Sequence, residues 1–465
     1  MSGPGEPAGG RPAAGDPGAE APDWLYVAEQ VLGHAEHDGA SAAEVLVMAD
    51  DAALTRFANS EIHQNVAERN VRISLRYVVG RRVGVASSDR LTDEGLRRIA
   101  ETAGRIARLS EEREEDVALG EPGPLPEAPG SFAAATAEAT PELRSEGVRA
   151  VIAAADARRL TAYGSFATTT ETLAVASSPG IRGLTSRTWS QLLTVQMGPD
   201  GGSGYAEAAA VDATTIDPAA VGREAAERAS RAGNPVAVEP GDWPVVLEPY
   251  AVADLLGTLG YLGFSALAVE EGRSFSEPGR RIGSELVSIW DDGLDPAGLP
   301  MAFDYEGVAK QRVSLVEAGV CRDVVYDAQT AARAGRRSTG HGLPAPNPWG
   351  PFPLNVFMAA GDASAEELVG GLERGLLVTR FHYTNPVHPK LAIVTGMTRD
   401  GTFLVENGRI VGPVRNLRFT QSYLGALAGV RAVGRERKTL RGDLGAVVAP
   451  AVAIEAFTFT GATEH

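Results

Sequence analysis

The segment from Gly396 to Phe419 reads GMTRDGTFLVENGRIVGPVRNLRF and carries the clearest structural signal in the chain. Two turn sequences, Arg399-Asp400-Gly401-Thr402 and Glu406-Asn407-Gly408-Arg409, bracket the apolar run Phe403-Leu404-Val405. Asp-Gly and Asn-Gly favour the two-residue turns of β-hairpins, because both pairs adopt positive φ readily. The segment therefore predicts a β-meander. Glycine-punctuated strands surround it, so we expect a β-rich C-terminal domain over residues 240–465.

Upstream of this domain the sequence alternates between helical and strand patterns. Asp23 is a predicted N-cap, because apolar residues recur at helical spacing after it. Strand patterns follow from Ala43 to Val85, and a second amphipathic helix is predicted from about Thr92 to Leu109. This order of helix, strands and helix predicts an α+β domain over residues 23–110.

Two further segments separate this domain from the C-terminal one. Residues 111–140 are acidic and proline-rich and predict a linker. Residues 141–239 predict a central α+β domain, in which Asp217-Pro218 begins a helix as N-cap and first helical residue. Residues 1–22 are rich in Gly, Pro and Ala and predict a disordered tail. The predicted fold class is thus α+β, with N-terminal helix/strand domains followed by a β-rich C-terminal domain.

The charge and cysteine content narrow the function classes. The 465 residues include 43 Lys+Arg and 60 Asp+Glu, a net charge of −17. Nucleic acids and anionic membranes bind proteins through cations, so neither is an expected partner. Cys321 is the single cysteine, and no Cys/His spacing typical of a structural zinc site is present. A reducing compartment fits this composition, and we expect the protein in the cytoplasm.

The longest apolar stretch, AVADLLGTLGYLGFSALAV from Ala251 to Val269, approaches the lower length limit of a bilayer span. Asp254, several glycine and hydroxyl residues in its middle and the acidic flank Glu270-Glu271 argue against a span. A buried helix is the better interpretation.

Common catalytic signatures are missing from the sequence. It holds no GxxxxGK[ST], no GxSxG and no His-Glu dipeptide, which disfavours P-loop ATPases, α/β-hydrolases and HExxH zinc hydrolases. Three histidines of the C-terminal part could converge with Cys321, although ordinary hydrogen-bonding histidines and a buried thiol are the simpler interpretation. These histidines are His341, His382 and His388. Asp304 and Glu306, on a predicted strand, could form a carboxylate pair or bind arginines.

Four C-terminal blocks resemble the TldD/PmbA (TldE) family of peptide-processing proteins. They are PGDWPVVLEPYAVADLL (240–256), FDYEGVAKQRVSLVEAGVCRDVVYD (303–327), STGHG (338–342) and the segment 396–419. Residues 49–89 also look like that family's first domain. The resemblance implies a heterodimer of TldD and TldE subunits that encloses a chamber and degrades or trims unfolded peptides.

Only the TldD type carries zinc, through a helical HExxxH motif and a later cysteine. At the matching positions this chain has Gly257, Thr258 and Leu262, whose side chains bind no metal and move no proton. The resemblance therefore implies a TldE-like subunit with no cofactor of its own. Zinc and peptidase activity are then expected only with a TldD-type partner.

The resemblance also suggests residues that line the chamber or the subunit interface. They are Ser338, Thr339 and His341 of STGHG, and Arg380, His382, Tyr383 and His388 of the predicted loop RFHYTNPVHP (380–389). Turn and capping chemistry is the competing interpretation. Two other functions stay open: an autonomous hydrolase that uses the histidines or Cys321, and a homodimeric protein that binds peptides or a small ligand.

Overall fold

The structure, a computed structural model, describes residues 22–442 and 445–462 of the chain. The predicted tail lies outside the described residues, except for Pro22. The helices are α1 (Trp24–His37), α2 (Asp93–Leu109), α3 (Ala134–Ala137), α4 (Pro141–Asp156), α5 (Pro218–Arg231), α6 (Pro249–Gly263), α7 (Ala266–Glu270), α8 (Ala328–Arg333), α9 (Ala365–Gly370) and α10 (Tyr423–Ala428).

The strands fall into two sheets. They are β1 (Ala42–Ala58), β2 (Glu61–Val79), β3 (Arg82–Ser88), β4 (Thr161–Ser177), β5 (Arg182–Met197), β6 (Ser203–Ala210), β7 (Gly241–Leu247), β8 (Ile289–Asp291), β9 (Val313–Glu317), β10 (Val320–Cys321), β11 (Asn355–Met358), β12 (Arg374–His388), β13 (Ile393–Glu406), β14 (Arg409–Pro413), β15 (Leu417–Ser422), β16 (Val430–Arg441) and β17 (Ala446–Ala462). This mixture of helices and strands confirms the α+β fold class.

The first sheet is antiparallel, with strand order β3-β2-β1-β4-β5-β6. α1 and α2 pack on one half of it, and α4 and α5 on the other. β1 pairs with both β2 and β4, so segments 23–110 and 141–239 contribute three strands each to one continuous sheet. The domain boundaries themselves stay a prediction.

Local capping chemistry fixes the helix starts in this half. The side chain of Asp23 accepts a hydrogen bond from the Tyr26 N–H (3.1 Å), and Thr92 and Asp217 cap α2 and α5 in the same way. The predicted starts of these three helices are therefore confirmed. β1 is one continuous strand from Ala42 to Ala58.

The C-terminal sheet closes on itself. β7, β12, β13, β15 and β17 form a ring, because β17 pairs with β15 on one side and with β7 on the other. Alternate residues face opposite sides of this ring: Val245 and Leu247 enter the main core, and Val246 packs in a separate outer cluster. α6 packs against β12 and β17 and buries Leu255, Leu256 and Leu259 in the main core.

One of the two turns predicted in the segment 396–419 is wrong. Asn407-Gly408 joins β13 to β14, as expected, but Asp400-Gly401 lies inside β13. Val378 pairs with Thr402 and Arg380 with Arg399, so two residues of β13 oppose one residue of β12. The positive φ of Asp400 and Gly401 thus serves a β-bulge rather than a hairpin turn.

The predicted loop 380–389 is also wrong. β12 runs to His388 and pairs with β13 up to Ile393, and the short turn between them is Pro389–Leu391. The predicted buried helix is confirmed, but α6 ends at Gly263 and the chain continues into the short α7. Among the described residues, no helix is long and apolar enough to cross a membrane.

Candidate functional site

Helix α6 forms one wall of an open cleft of about 560 Å³. Gly257, Thr258 and Tyr261 line it from the helix, and β12 contributes Arg380 and Thr384. The remaining wall is partly aromatic and comes from β6, the segment before β11, and β16. Strands from both halves of the chain therefore meet the helix that the sequence singled out.

The three positions that match the family motif do not share one environment. Gly257 and Thr258 line the cleft, and a Cβ atom added to Gly257 would meet no atom within 4 Å. Leu262 is 1% exposed and packs in the main core. Gly257 therefore leaves open space in the cleft, while Leu262 does not face it.

Asp254 is the only carboxyl group of α6 and lies one turn before Gly257. Its carboxylate accepts hydrogen bonds from the Thr384 hydroxyl (2.9 Å) and the Tyr423 hydroxyl (3.3 Å). Burial nevertheless raises the pKa of Asp254 to about 6. A carboxylate inside an apolar helix is a sequence signal of a polar site as well as evidence against a membrane span, and Asp254 carries both.

Arg380 is held by groups that the sequence did not connect to it. Its Nε donates to Asp400 Oδ2 (2.7 Å), and its guanidinium lies 4.4 Å from the ring centre of Tyr205. The Tyr205 hydroxyl donates to Glu207 (2.6 Å), and burial raises the pKa of Tyr205 well above its usual value. The β-bulge at Asp400 thus places a buried carboxylate beside Arg380, and no local sequence signal predicts this pairing.

The STGHG segment lies in a buried polar network outside the cleft lining. His341 is fully buried, with Nε2 2.7 Å from Asp291 Oδ1 and Nδ1 2.9 Å from the Thr339 hydroxyl. Burial lowers the pKa of His341. Ser338 donates to the Tyr326 carbonyl (3.1 Å). These contacts account for Ser338, Thr339 and His341 as residues that hold the segment in place.

The other predicted site residues lie on the hairpin formed by β12 and β13. Tyr383 is 75% exposed and has a positive φ of 54°. His388 Nδ1 accepts from the Leu391 N–H (3.3 Å) and so caps the hairpin turn, and His382 precedes Tyr383 on β12. This exposed hairpin is available for contacts with another molecule.

The structure does not assemble the alternative hydrolase site. Cys321 is buried in the main core, and burial raises the pKa of its thiol. Within residues 22–442 and 445–462, no group of three or more His, Cys, Asp and Glu side chains is arranged to hold a metal ion.

Asp304 and Glu306 lie in a turn rather than on the predicted strand. Glu306 accepts a hydrogen bond from Arg76 of β2 (2.8 Å), so the arginine interpretation holds for Glu306. Asp304 accepts the backbone N–H groups of Gly342 (2.6 Å) and Val308 (2.9 Å), and burial raises its pKa to about 8.

Two family models match this sequence. One, described as PmbA/TldA metallopeptidase domain 1, matches residues 43–107, and the other, PmbA/TldA metallopeptidase C-terminal domain, matches residues 240–461. Together they cover more than half of the chain. The chain belongs to the PmbA/TldD family. The match places α6 within the family's C-terminal domain, whereas β6 of the cleft lining lies outside the matched residues.

Curated relatives in the PmbA/TldD family match parts of this chain. A zinc metalloprotease TldD homolog of Saccharolobus solfataricus is 25% identical over 211 residues, which are 42% of this chain and 44% of that protein. A metalloprotease TldD homolog of Buchnera aphidicola is 26% identical over 166 residues, 34% of this chain and 33% of that protein. The matched segments thus span less than half the length of these relatives.

A solved family structure has the same fold over nearly the whole chain. TldE from Thermococcus kodakarensis aligns with a TM-score of 0.86 over 94% of this chain and 100% of that one, at 22% identity. At this identity the likeness shows the fold alone.

The zinc expected in TldD-type members does not fit the residues of this cleft. Zinc takes three or four nitrogen, sulfur or carboxylate ligands. Gly257 has no side chain, Thr258 offers a neutral hydroxyl, and Leu262 packs in the core. Asp254 and Glu207 are the carboxylates of the lining, and both already accept hydrogen bonds: Asp254 from two hydroxyl groups, and Glu207 from the Tyr205 hydroxyl.

Proposed function

We propose that this PmbA/TldD-family chain is a TldE-like, metal-free subunit of a heterodimeric metalloprotease. In this proposal the α6 cleft forms part of the wall that holds an unfolded peptide, and a TldD-type partner supplies zinc and the peptidase chemistry. The protein works in the cytoplasm, in keeping with its buried free cysteine.

The observation that carries the proposal is the open space over Gly257 and Thr258. A family motif that places a ligand and a base at these two positions would put both groups into the cleft. In this chain neither position carries a side chain of the family motif, and the space over Gly257 stays open. An open cleft without catalytic groups suits the binding of a peptide that the partner subunit cleaves.

The charges of the cleft support a peptide backbone as its ligand. Two cations, Arg380 and Arg441, face two carboxyl groups, Glu207 and Asp254, along its lining. A lining with balanced charges suits a backbone of neutral amide groups better than a polyanion. Tyr205 adds a phenol hydroxyl to the lining, which donates to Glu207 (2.6 Å).

Gly257→Phe tests this proposal. Gly257 has free space for the ring, so the variant is expected to fold, form the complex and fill the cleft. The purified chain is mixed with the TldD-type homologue of the same organism, and light scattering and peptide cleavage are measured. We expect a one-to-one complex that cleaves peptide, with KM raised by about tenfold in the variant.

The matched control is Gly33→Phe, because Gly33 also lies in a helix and has free space, but on the exposed side of α1. It should leave KM unchanged. Stoichiometric zinc and peptide cleavage in the isolated chain would favour an autonomous hydrolase. A homodimer that does not bind the TldD-type homologue would favour a homodimeric peptide-binding protein.

A further inference from the structure

A second cavity, of about 820 Å³, opens on the outer face of the five-stranded ring. We call it the outer groove. Its floor is apolar and comes from Val246 of β7, Leu377 of β12, Ala451 of β17, Leu368 of α9 and Ile410 of β14. These residues belong to the outer cluster of the ring, while their strand neighbours face the main core. Leu377, Ala451 and Ile410 are only partly buried, so the floor stays accessible.

The rim of the outer groove is rich in arginine. Arg231, Arg409 and Arg437 are exposed, and within the described part of the chain none of them has an ion-pair partner. Arg231 lies 5.3 Å from the ring centre of Phe403, which holds its guanidinium against the domain. The three unpaired cations therefore carry free charge at the edge of an apolar surface.

Paired charges close the end of the groove towards the α6 cleft. Arg228 binds Glu248 (2.7 Å), and Lys438 binds Glu224 (2.8 Å). Tyr250 lines both cavities, and its hydroxyl donates to Glu224 (2.9 Å). The two cavities are thus neighbours with a shared wall, and a substitution at Gly257 or at the arginine rim changes the lining of one cavity only.

The lining of the outer groove carries more cations than carboxylates. Six cations and four carboxylates line it, in a chain whose net charge is −17. The six cations are Arg228, Arg231, Arg409, Arg435, Arg437 and Lys438, and the carboxylates are Glu224, Glu248, Glu366 and Glu436. The excess of positive charge along this lining favours an acidic partner.

We propose that the outer groove binds an extended peptide segment in which acidic and apolar side chains alternate. In an extended segment, alternate side chains point to opposite sides. One set can pack on the apolar floor while the carboxylates reach Arg231, Arg409 and Arg437 at the rim. A nucleic acid or another polyanion has no alternate apolar side chains to pack on this floor, which leaves a peptide as the matching ligand.

This site goes beyond the proposed function, because it selects peptides by composition, whereas the α6 cleft holds a backbone of any sequence. A peptide bound in the outer groove contacts no residue that matches the family motif. The two sites are therefore tested separately.

The test uses a fluorescein-labelled octapeptide of alternating Asp and Leu, titrated with the full-length chain and followed by fluorescence anisotropy. The groove variant is Arg231→Gln/Arg409→Gln/Arg437→Gln. The control is Arg72→Gln/Arg97→Gln/Arg149→Gln, which removes three exposed arginines that have no ion-pair partner among the described residues, and it changes the net charge equally. We expect about tenfold weaker binding in the groove variant and less than about twofold in the control.

Gly257→Phe separates this proposal from the proposed function, since it fills the α6 cleft and should leave binding of this probe unchanged. If both triple variants lose affinity for the probe equally, overall charge explains the binding and the proposal is overturned. The proposal also fails if a Lys-Leu octapeptide binds as tightly, or if Gly257→Phe abolishes binding while the groove variant does not. The last result would place the probe in the cleft and leave the proposed function standing.

Discussion

Asp254 lies at the cleft with both carboxylate oxygens engaged, and burial still raises its pKa to about 6. An unfolded aspartate has a pKa of about 3.9, so the folded state binds more protons between these two values. Asp254 therefore contributes stability below about pH 4, and this contribution is lost as the pH rises through about 6. At neutral pH the carboxyl group of Asp254 is charged, and its burial lowers the free energy of unfolding.

Asp254→Asn tests this balance at the residue scale. The amide oxygen can accept from one hydroxyl, the amide N–H can donate to the other, and the group cannot ionise, so the variant should gain stability at pH 7.5 by up to about 2–3 kcal/mol and gain little near pH 4. Urea unfolding of both proteins at the two pH values measures the difference. Parallel stability curves for the two proteins would show that burial of Asp254 carries no such penalty.

At the scale of elements, the bulge in β13 has the clearest structural consequence. Gly401 has φ +130°, and a Cβ atom there would lie 2.5 Å from the Thr379 hydroxyl oxygen. The bulge brings Asp400 beside Arg380, so the geometry of one strand sets the position of a cation in the cleft. A change at Gly401 is therefore expected to act on stability and on the cleft together.

Gly401→Ala should destabilise the chain by about 1–3 kcal/mol, because the strained φ and the contact with Thr379 both oppose a side chain. Gly412→Ala in β14 is the control, since Gly412 has no atom within 4 Å of an added Cβ and no positive φ. Its effect should stay within about 0.5 kcal/mol. Chemical denaturation of both variants measures the two values, and equal effects would contradict a special role for the bulge.

The elements that the sequence predicted are those with local causes. Side-chain caps at Asp23, Thr92 and Asp217 act within one turn, so the helix starts follow from the sequence. Whether Asp-Gly forms a hairpin or a bulge depends on β12, which lies about twenty residues away. The same limit applies to the site: Gly257 and Thr258 followed from the motif, whereas the partners of Arg380 follow only from ring closure.

The repeated arrangement of the first sheet was also missed at the level of sequence. Each half consists of a helix, a three-stranded meander and a second helix: α1 to α2, and α4 to α5. The sequence shows no repeat of convincing period. Apolar alternation and helical spacing can be satisfied by many different residues, so two similar folds need not keep similar residues.

At the scale of the whole molecule, Arg76 joins the first sheet to the C-terminal domain. Its guanidinium donates to Glu44 on β1 (2.6 Å) and to Glu306 of the C-terminal domain (2.8 Å), and all three side chains are largely buried. Burial raises the pKa of Glu44 to about 7, although the charge of Arg76 lowers it. One cation shared by two carboxylates is therefore a buried electrostatic link between the two halves, beside the apolar cluster that also joins them.

Arg76→Met should destabilise the protein by about 3–5 kcal/mol at pH 8, because it leaves two carboxylates buried without their cation. The loss should be smaller at pH 5.5, since removing Arg76 raises the pKa of Glu44 further and the protonated acid has no charge to bury. Arg69→Met is the control: Arg69 pairs with Asp51 at 2.8 Å, but both side chains are more than half exposed. Its loss should stay below about 1 kcal/mol at either pH. Denaturant unfolding at both pH values measures the four differences, and a loss in Arg76→Met that is independent of pH would contradict the buried-charge explanation of this contact.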